Sequence, residues 1–161
     1  RQRQPDSRWP TVGDPWRQRA PGAGSTRRTA CRAVGGKPFH TGVSGVKPHW
    51  RNLDDRQVKA VADTGGVIGV IYSRAFLKVR GGPDDAGMIV DHMEHVAKVG
   101  GEDAIAIGSD YDGAIVPPKD LRSGNSYVRL VQKMLDRGFS EARVQKILGG
   151  NFLRSFERLR G

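Results

Sequence analysis

The chain is 161 residues long, 37% hydrophobic, and carries a formal net charge of +10 at pH 7. That length allows one domain with a core, while the low apolar fraction leaves part of the chain with too little apolar surface to pack. A single cysteine, Cys31, excludes an internal disulfide framework, and no apolar run approaches the ~20 residues needed to cross a bilayer.

Residues 1–38 hold nine Lys/Arg against Asp6 and Asp14, a charge of +7, and residues 39–161 hold eighteen against fifteen acids, a charge of +3. The basic character therefore belongs to the first quarter. Residues 1–36 are rich in Arg, Pro, Gly and Gln without helical or strand period, which predicts a disordered basic segment. The segment reads either as an arm touching nucleic acid or a membrane surface, with Trp9 and Trp16 as anchors, or as a non-native stretch. The non-native reading is preferred, and nucleic acid is not expected as a partner. The segment has no central apolar block, so it is not a secretory signal, and a soluble, cytoplasmic protein is expected.

From Lys37 the texture changes, and residues 37–161 read as the folded domain. "GKPFHTGVSGV" is a short apolar stub followed by a glycine-punctuated loop. "NLDDRQVKAVADTGG" predicts a helix with Asp54 or Asn52 as N-cap, an apolar stripe of Val58, Val61 and Ala62, and Gly65 as its stop. "GVIGVIY" over 66–72 is a buried strand, β-branched and bounded by glycines. "GPDDAGMIVDHMEHVAKVGG" predicts a helix with Pro83, Asp84 and Asp85 in its first turn, Ile89, Met93 and Val96 inward, and Gly100 at its end.

A second strand covers 104–109, and two helices close the chain. The first, 123–138, carries Val128, Val131 and Leu135 on its apolar side. The second begins at Ser140 as N-cap, breaks or bends at Gly149–Gly150, and resumes with Phe152, Leu153, Phe156 and Leu159.

Strands alternating with helices predict a parallel α/β architecture, in which reactive groups gather at the carboxyl ends of the strands. "AIAIGSDYDG" stops a buried strand on Asp110 and Asp112, and the strand period would turn both acids to the same side. His40 ends the first stub. Histidine and aspartate at two strand ends point to a metal or hydrolytic site. Asp112 reads as a turn former before Gly113. His92 and His95, three apart on a helix, read as solvated or packing residues of an outer helix. Trp50 reads as a loop lid or packing residue.

Three blocks, "HTGVSGVKPHWRNLDDRQVKAVADTGGVIGV", "VDHMEHVAKVGGEDAIAIGSDYDG" and "RGFSEARVQKILGGNFLRSFERL", together resemble the membrane (renal) dipeptidase family of zinc peptidases. The resemblance covers 37–161 and implies the carboxyl-terminal portion of a (β/α)8 barrel. It implies hydrolysis of dipeptides at a site with two bridged zinc ions. His40 matches a zinc-ligating histidine, and Arg51 matches the arginine that pairs with the substrate's terminal carboxylate. Asp110 matches the aspartate that holds the substrate's amino end and manages a proton.

The sequence departs from that pattern before His40. A His-x-Asp pair, a bridging Glu and a further His of the family have no counterpart, and residues 1–36 contain neither His nor Glu. The expectation is therefore a truncated, weakly active or inactive dipeptidase chain that retains one matching zinc ligand. The alternatives are a non-catalytic remnant or binding module, and nucleic-acid contact through the basic arm. Three strands of a closed barrel would leave open edges and exposed apolar side chains, so a homo-oligomer is a possible partner state.

Overall fold

Short β-branched runs bounded by glycines become strands here. In the computed structural model, which describes residues 39–160, β1 (Phe39–Thr41), β2 (Ile68–Ile71) and β3 (Ile105–Ser109) form one sheet in the order β1-β2-β3. Both pairings are parallel, so each connection has to cross over, and helices do so. Residues 1–36 lie outside the described residues, and so do the two readings of the basic segment. Among the described residues no helix is long and apolar enough to cross a membrane.

Helix α1 (Asp55–Asp63) crosses from β1 to β2. Its start is fixed by a reciprocal pair: Asp54 accepts from the Gln57 amide at 2.9 Å, and the Gln57 side chain accepts from the Asp54 amide at 2.9 Å. Asp54 rather than Asn52 is therefore the N-cap. Val58 and Val61 are buried, and the chain leaves the helix through Gly65 at φ +75°.

Between β2 and β3 lie a one-turn helix α2 (Arg74–Leu77), absent from the sequence reading, then α3 (Gly87–Gly100) and a 3-10 turn (Glu102–Ala104). Helix α3 starts at Gly87, not at Pro83, because the acids expected in its first turn are engaged elsewhere. Asp84 binds Arg74 at 2.6 Å and Lys78 and Lys119 at 3.0 Å. Asp85 accepts from the Gly87 amide at 2.8 Å and holds Lys133 at 2.9 Å. The expected inward residues Ile89, Met93 and Val96 are buried, joined by Met88, Val90 and His92.

After β3 come a 3-10 turn (Gly124–Ser126), α4 (Tyr127–Asp136), α5 (Glu141–Gln145), a π-type turn (Lys146–Gly150) and α6 (Asn151–Arg160). The bend at Gly149–Gly150 is thus a widened turn within one continuous helical run. Ser140 caps α5, accepting from the Arg143 amide at 3.3 Å. Helix α3 is central, touching α1, β2, β3 and α4.

One apolar face differs from expectation. In α4 the buried residues are Leu130 and Met134, while Val128 is 69% exposed. A 3.6-residue period fits both stripes, and of the expected one Val131 is half-buried against the core. In α6 Phe152, Leu153 and Phe156 are exposed, and Asn151 and Ser155 face inward. The Asn151 amide donates to the carbonyls of Glu102 at 2.8 Å and Ile105 at 2.9 Å, so polar anchoring sets the orientation of that helix.

Candidate functional site

The sheet register builds the mouth. His40, Gly69 and Ala106 lie side by side across the three strands. Adjacent strands are about 4.8 Å apart, so β1 and β3 are separated by a strand whose residue in this row has no side chain. The pairing of β2 and β3 then slips, Ile71 facing Ser109 and Gly108 being passed over. A Cβ at Gly108 would lie 2.7 Å from the Gly69 carbonyl carbon, so only glycine permits that approach.

Beyond the slip the backbone turns: Ser109 has φ 21° and Asp110 φ 74°. Strand alternation has ended there, so the rule that would put Asp110 and Asp112 on one side no longer applies. The turn closes with the Gly113 amide donating to the Asp110 carbonyl at 3.0 Å, and a Cβ at Gly113 would collide with the Asp110 carboxylate. Asp112 is exposed.

This path brings the Asp110 carboxylate toward His40 on β1. His40 Nδ1 and Asp110 Oδ2 stand 3.7 Å apart, with side-chain exposures of 51% and 26%. The separation is too long for a hydrogen bond and lies within ion-pair range.

Arg51 reaches the same strand end through its backbone. Its carbonyl accepts from Thr41 Oγ1 at 2.7 Å, and Thr41 is the residue after His40. Val43 and Leu53 form a single parallel bridge beside it. The Arg51 guanidinium carbon lies 5.2 Å from the Phe76 ring centre and 5.8 Å from that of Trp50. Trp50, expected as a lid or packing residue, is 85% exposed and stacks on His49. The structure therefore brings His40 and Asp110 into contact range and ties the Arg51 backbone to Thr41.

Two residues that position this loop were not singled out for that role. Buried Asn52 accepts from the Gly42 amide at 3.2 Å and donates to the carbonyls of Lys47 and Phe76, both at 2.9 Å. His92, fully buried, accepts from the Val43 amide at 2.9 Å on Nδ1, so Nε2 carries the proton toward the Leu77 carbonyl at 3.2 Å. Burial lowers its pKa to about 4, which keeps it neutral. A histidine set among Ile89, Met93 and Val96 was the available signal. His95 pairs with Asp55 at 2.7 Å, so both helix histidines are structural, as the outer-helix reading expected.

Tyr72 packs edge-on against Tyr111 and Tyr127. Burial raises the Tyr72 phenol well above its usual range and pushes Tyr111 up to about 12.

Residues 37–160 match the family described as membrane dipeptidase, peptidase family M19. The chain belongs to the membrane dipeptidase family. An uncharacterised Klebsiella pneumoniae protein encoded in the pqqA 5′ region is 36% identical over 118 residues, spanning 71% of this chain and 43% of that protein. A metallo peptidase from Rhodobacter sphaeroides, solved with a phosphinate mimic of the dipeptide L-Ala-D-Ala, is 28% identical with a TM-score of 0.68. That match covers 74% of this chain and 35% of the peptidase. An amidohydrolase from Pseudomonas aeruginosa is 29% identical with a TM-score of 0.70, over 83% of this chain and 49% of the other. The chain spans less than half the length of each of these three relatives.

The membrane dipeptidase family implies zinc, and the donors at the mouth can be tested against it. Zinc takes three or four protein ligands from imidazole, carboxylate or thiolate. Among the described residues no group of three or more His, Cys, Asp or Glu side chains could hold a metal ion. The described donor set, one imidazole and one carboxylate, therefore does not fit a binuclear zinc centre.

Proposed function

We propose that this chain carries the substrate-gripping side of a dipeptide-hydrolysing site, on strands that form the carboxyl-terminal part of a (β/α)8 barrel. The observation that supports it most is the 3.7 Å approach of His40, on β1, and Asp110, just past the carboxyl end of β3. Arg51 receives the substrate's terminal carboxylate with two parallel N–H donors. Asp110 accepts hydrogen bonds from the substrate's ammonium group and takes up a proton on its carboxylate. His40 offers one imidazole donor to the metal centre of the family. The folded domain begins near residue 37, and the segment before it takes no part in the chemistry.

Because the described donors stop at two, the 161-residue chain alone binds zinc weakly and turns over little dipeptide. Zinc titration by calorimetry with an L-Ala-D-Ala assay checks this. Two tightly bound zinc ions, with turnover lost in His40→Ala, would show the chain to be a complete enzyme. The reading of the site itself is checked by grafting residues 37–160 in place of the matching segment of the Rhodobacter peptidase. The graft hydrolyses dipeptide, and His40→Ala or Asp110→Asn in it lowers kcat/KM by about 100-fold or more. A folded but inert graft rejects the dipeptidase assignment.

A further inference from the structure

The Arg51 side chain has no acidic partner among the described residues; its neighbours are aromatic rings. Its guanidinium lies against Phe76 and Trp50, and the His49 ring sits 4.8 Å from Phe76 and 5.8 Å from Trp50. The His49 pKa is lowered, first by burial and then by the charges of Lys47 and Arg51, so the ring is neutral and adds no charge that would repel the guanidinium. Ring faces attract a guanidinium without using its N–H groups, which leaves all five donors for an oxygen ligand.

The backbone that carries Phe76 is tied to the same loop. The Phe76 carbonyl accepts from Asn52 Nδ2, and Asn52 is the neighbour of Arg51 in sequence. One buried amide thus ties the backbone next to Arg51 to the backbone of the residue whose ring faces the guanidinium. His92, bound to the Leu77 carbonyl and the Val43 amide, ties the next residue of α2 to the same loop.

We infer that Phe76 is a positioning residue: it holds the Arg51 guanidinium flat as a pre-formed carboxylate fork, and the exposed Trp50 ring lines the fork's approach. Carboxylates carrying an apolar group beside the acid are then preferred, since the group rests on Trp50 while the acid meets the guanidinium. This deepens the proposed function by assigning the carboxyl-terminal side of the substrate, and it depends on Arg51 being the carboxylate receptor.

The test uses the full 161-residue chain and arginine Nε–H signals in NMR titrations with N-acetyl-D-alanine, N-acetyl-D-phenylalanine and the amide of the first. The two acids shift the Arg51 signal and the amide does not. Phe76→Leu weakens acid binding about threefold or more and broadens the Arg51 Nε–H signal, while the chain stays folded at the titration temperature. Phe76→Tyr restores both. Trp50→Ala removes the preference for the phenylalanine derivative over the alanine one. If Phe76→Leu binds as the unaltered chain does, the positioning role is overturned while Arg51 keeps its assignment. If the unaltered chain does not bind either acid, the role of Arg51 fails as well.

Discussion

Asp110 stands in the left-handed backbone region at φ 74°, a conformation that aspartate and asparagine tolerate better than residues without a short polar side chain. Charge and conformation can therefore be separated. Asp110→Asn should leave stability within about 0.5 kcal/mol of the unaltered chain, while Asp110→Ala costs about 1 kcal/mol or more by backbone strain; urea melts distinguish them. A second residue, His92, couples the mouth to pH. Its folded pKa of about 4 lies below the unfolded value of 6.5, so between those pH values the unfolded chain binds a proton that the folded chain refuses. Stability is full above pH 6.5 and declines as pH falls toward 4, by on the order of 3 kcal/mol if His92 acts alone. His49 shifts in the same direction and adds to the slope. His92→Gln can offer the same acceptor to Val43 and donor to Leu77 without titrating, so its melts at pH 7 and pH 4.5 should differ by clearly less than those of the unaltered chain.

Features that rest on neighbouring residues were legible in the sequence. Asp54 with Gln57 three residues later marks the start of α1, and Gly65 at positive φ marks its end. The closeness of His40 and Asp110 was legible because both lie at or just past strands of one parallel sheet, where such folds bring side chains together. The supports of the mouth were not legible for a physical reason: Asn52 and His92 act on partners 24 and 49 residues away, which no local pattern encodes. Helix faces fall between these cases. The stripe of Val128, Val131 and Leu135 is as periodic as that of Leu130 and Met134, and only the packing of α4 on α3 decides between them. Leu130→Ala should therefore cost about 2–5 kcal/mol in chemical denaturation, whereas Val128→Ala should stay within about 0.5 kcal/mol. Equal losses at the two positions would mean that α4 is rotated from the orientation described.

At the scale of the molecule, what is left uncovered matters as much as what is packed. Among the described residues β1 and β3 each pair on one side only. Helix α6 turns Phe152, Leu153 and Phe156 outward, with Leu148 one turn before them, because Asn151 anchors its other face to the start of β3. Phe152 and Phe156 stack on each other at 6.1 Å, so the outward face presents a paired aromatic surface. A contiguous apolar stripe of this kind favours association, and open strand edges add backbone donors and acceptors to it. The 161-residue chain at tens of micromolar should therefore self-associate in light scattering. Replacing both aromatics, Phe152→Lys with Phe156→Lys, should shift the population toward monomer. The melting temperature should change little, because neither ring contributes to the buried core. A monodisperse monomer of the unaltered chain would mean that the α6 stripe is covered within the chain itself. An oligomer indifferent to the double substitution would move the contact to the strand edges, where Thr41 or Ser109 replaced by proline would be the next probes.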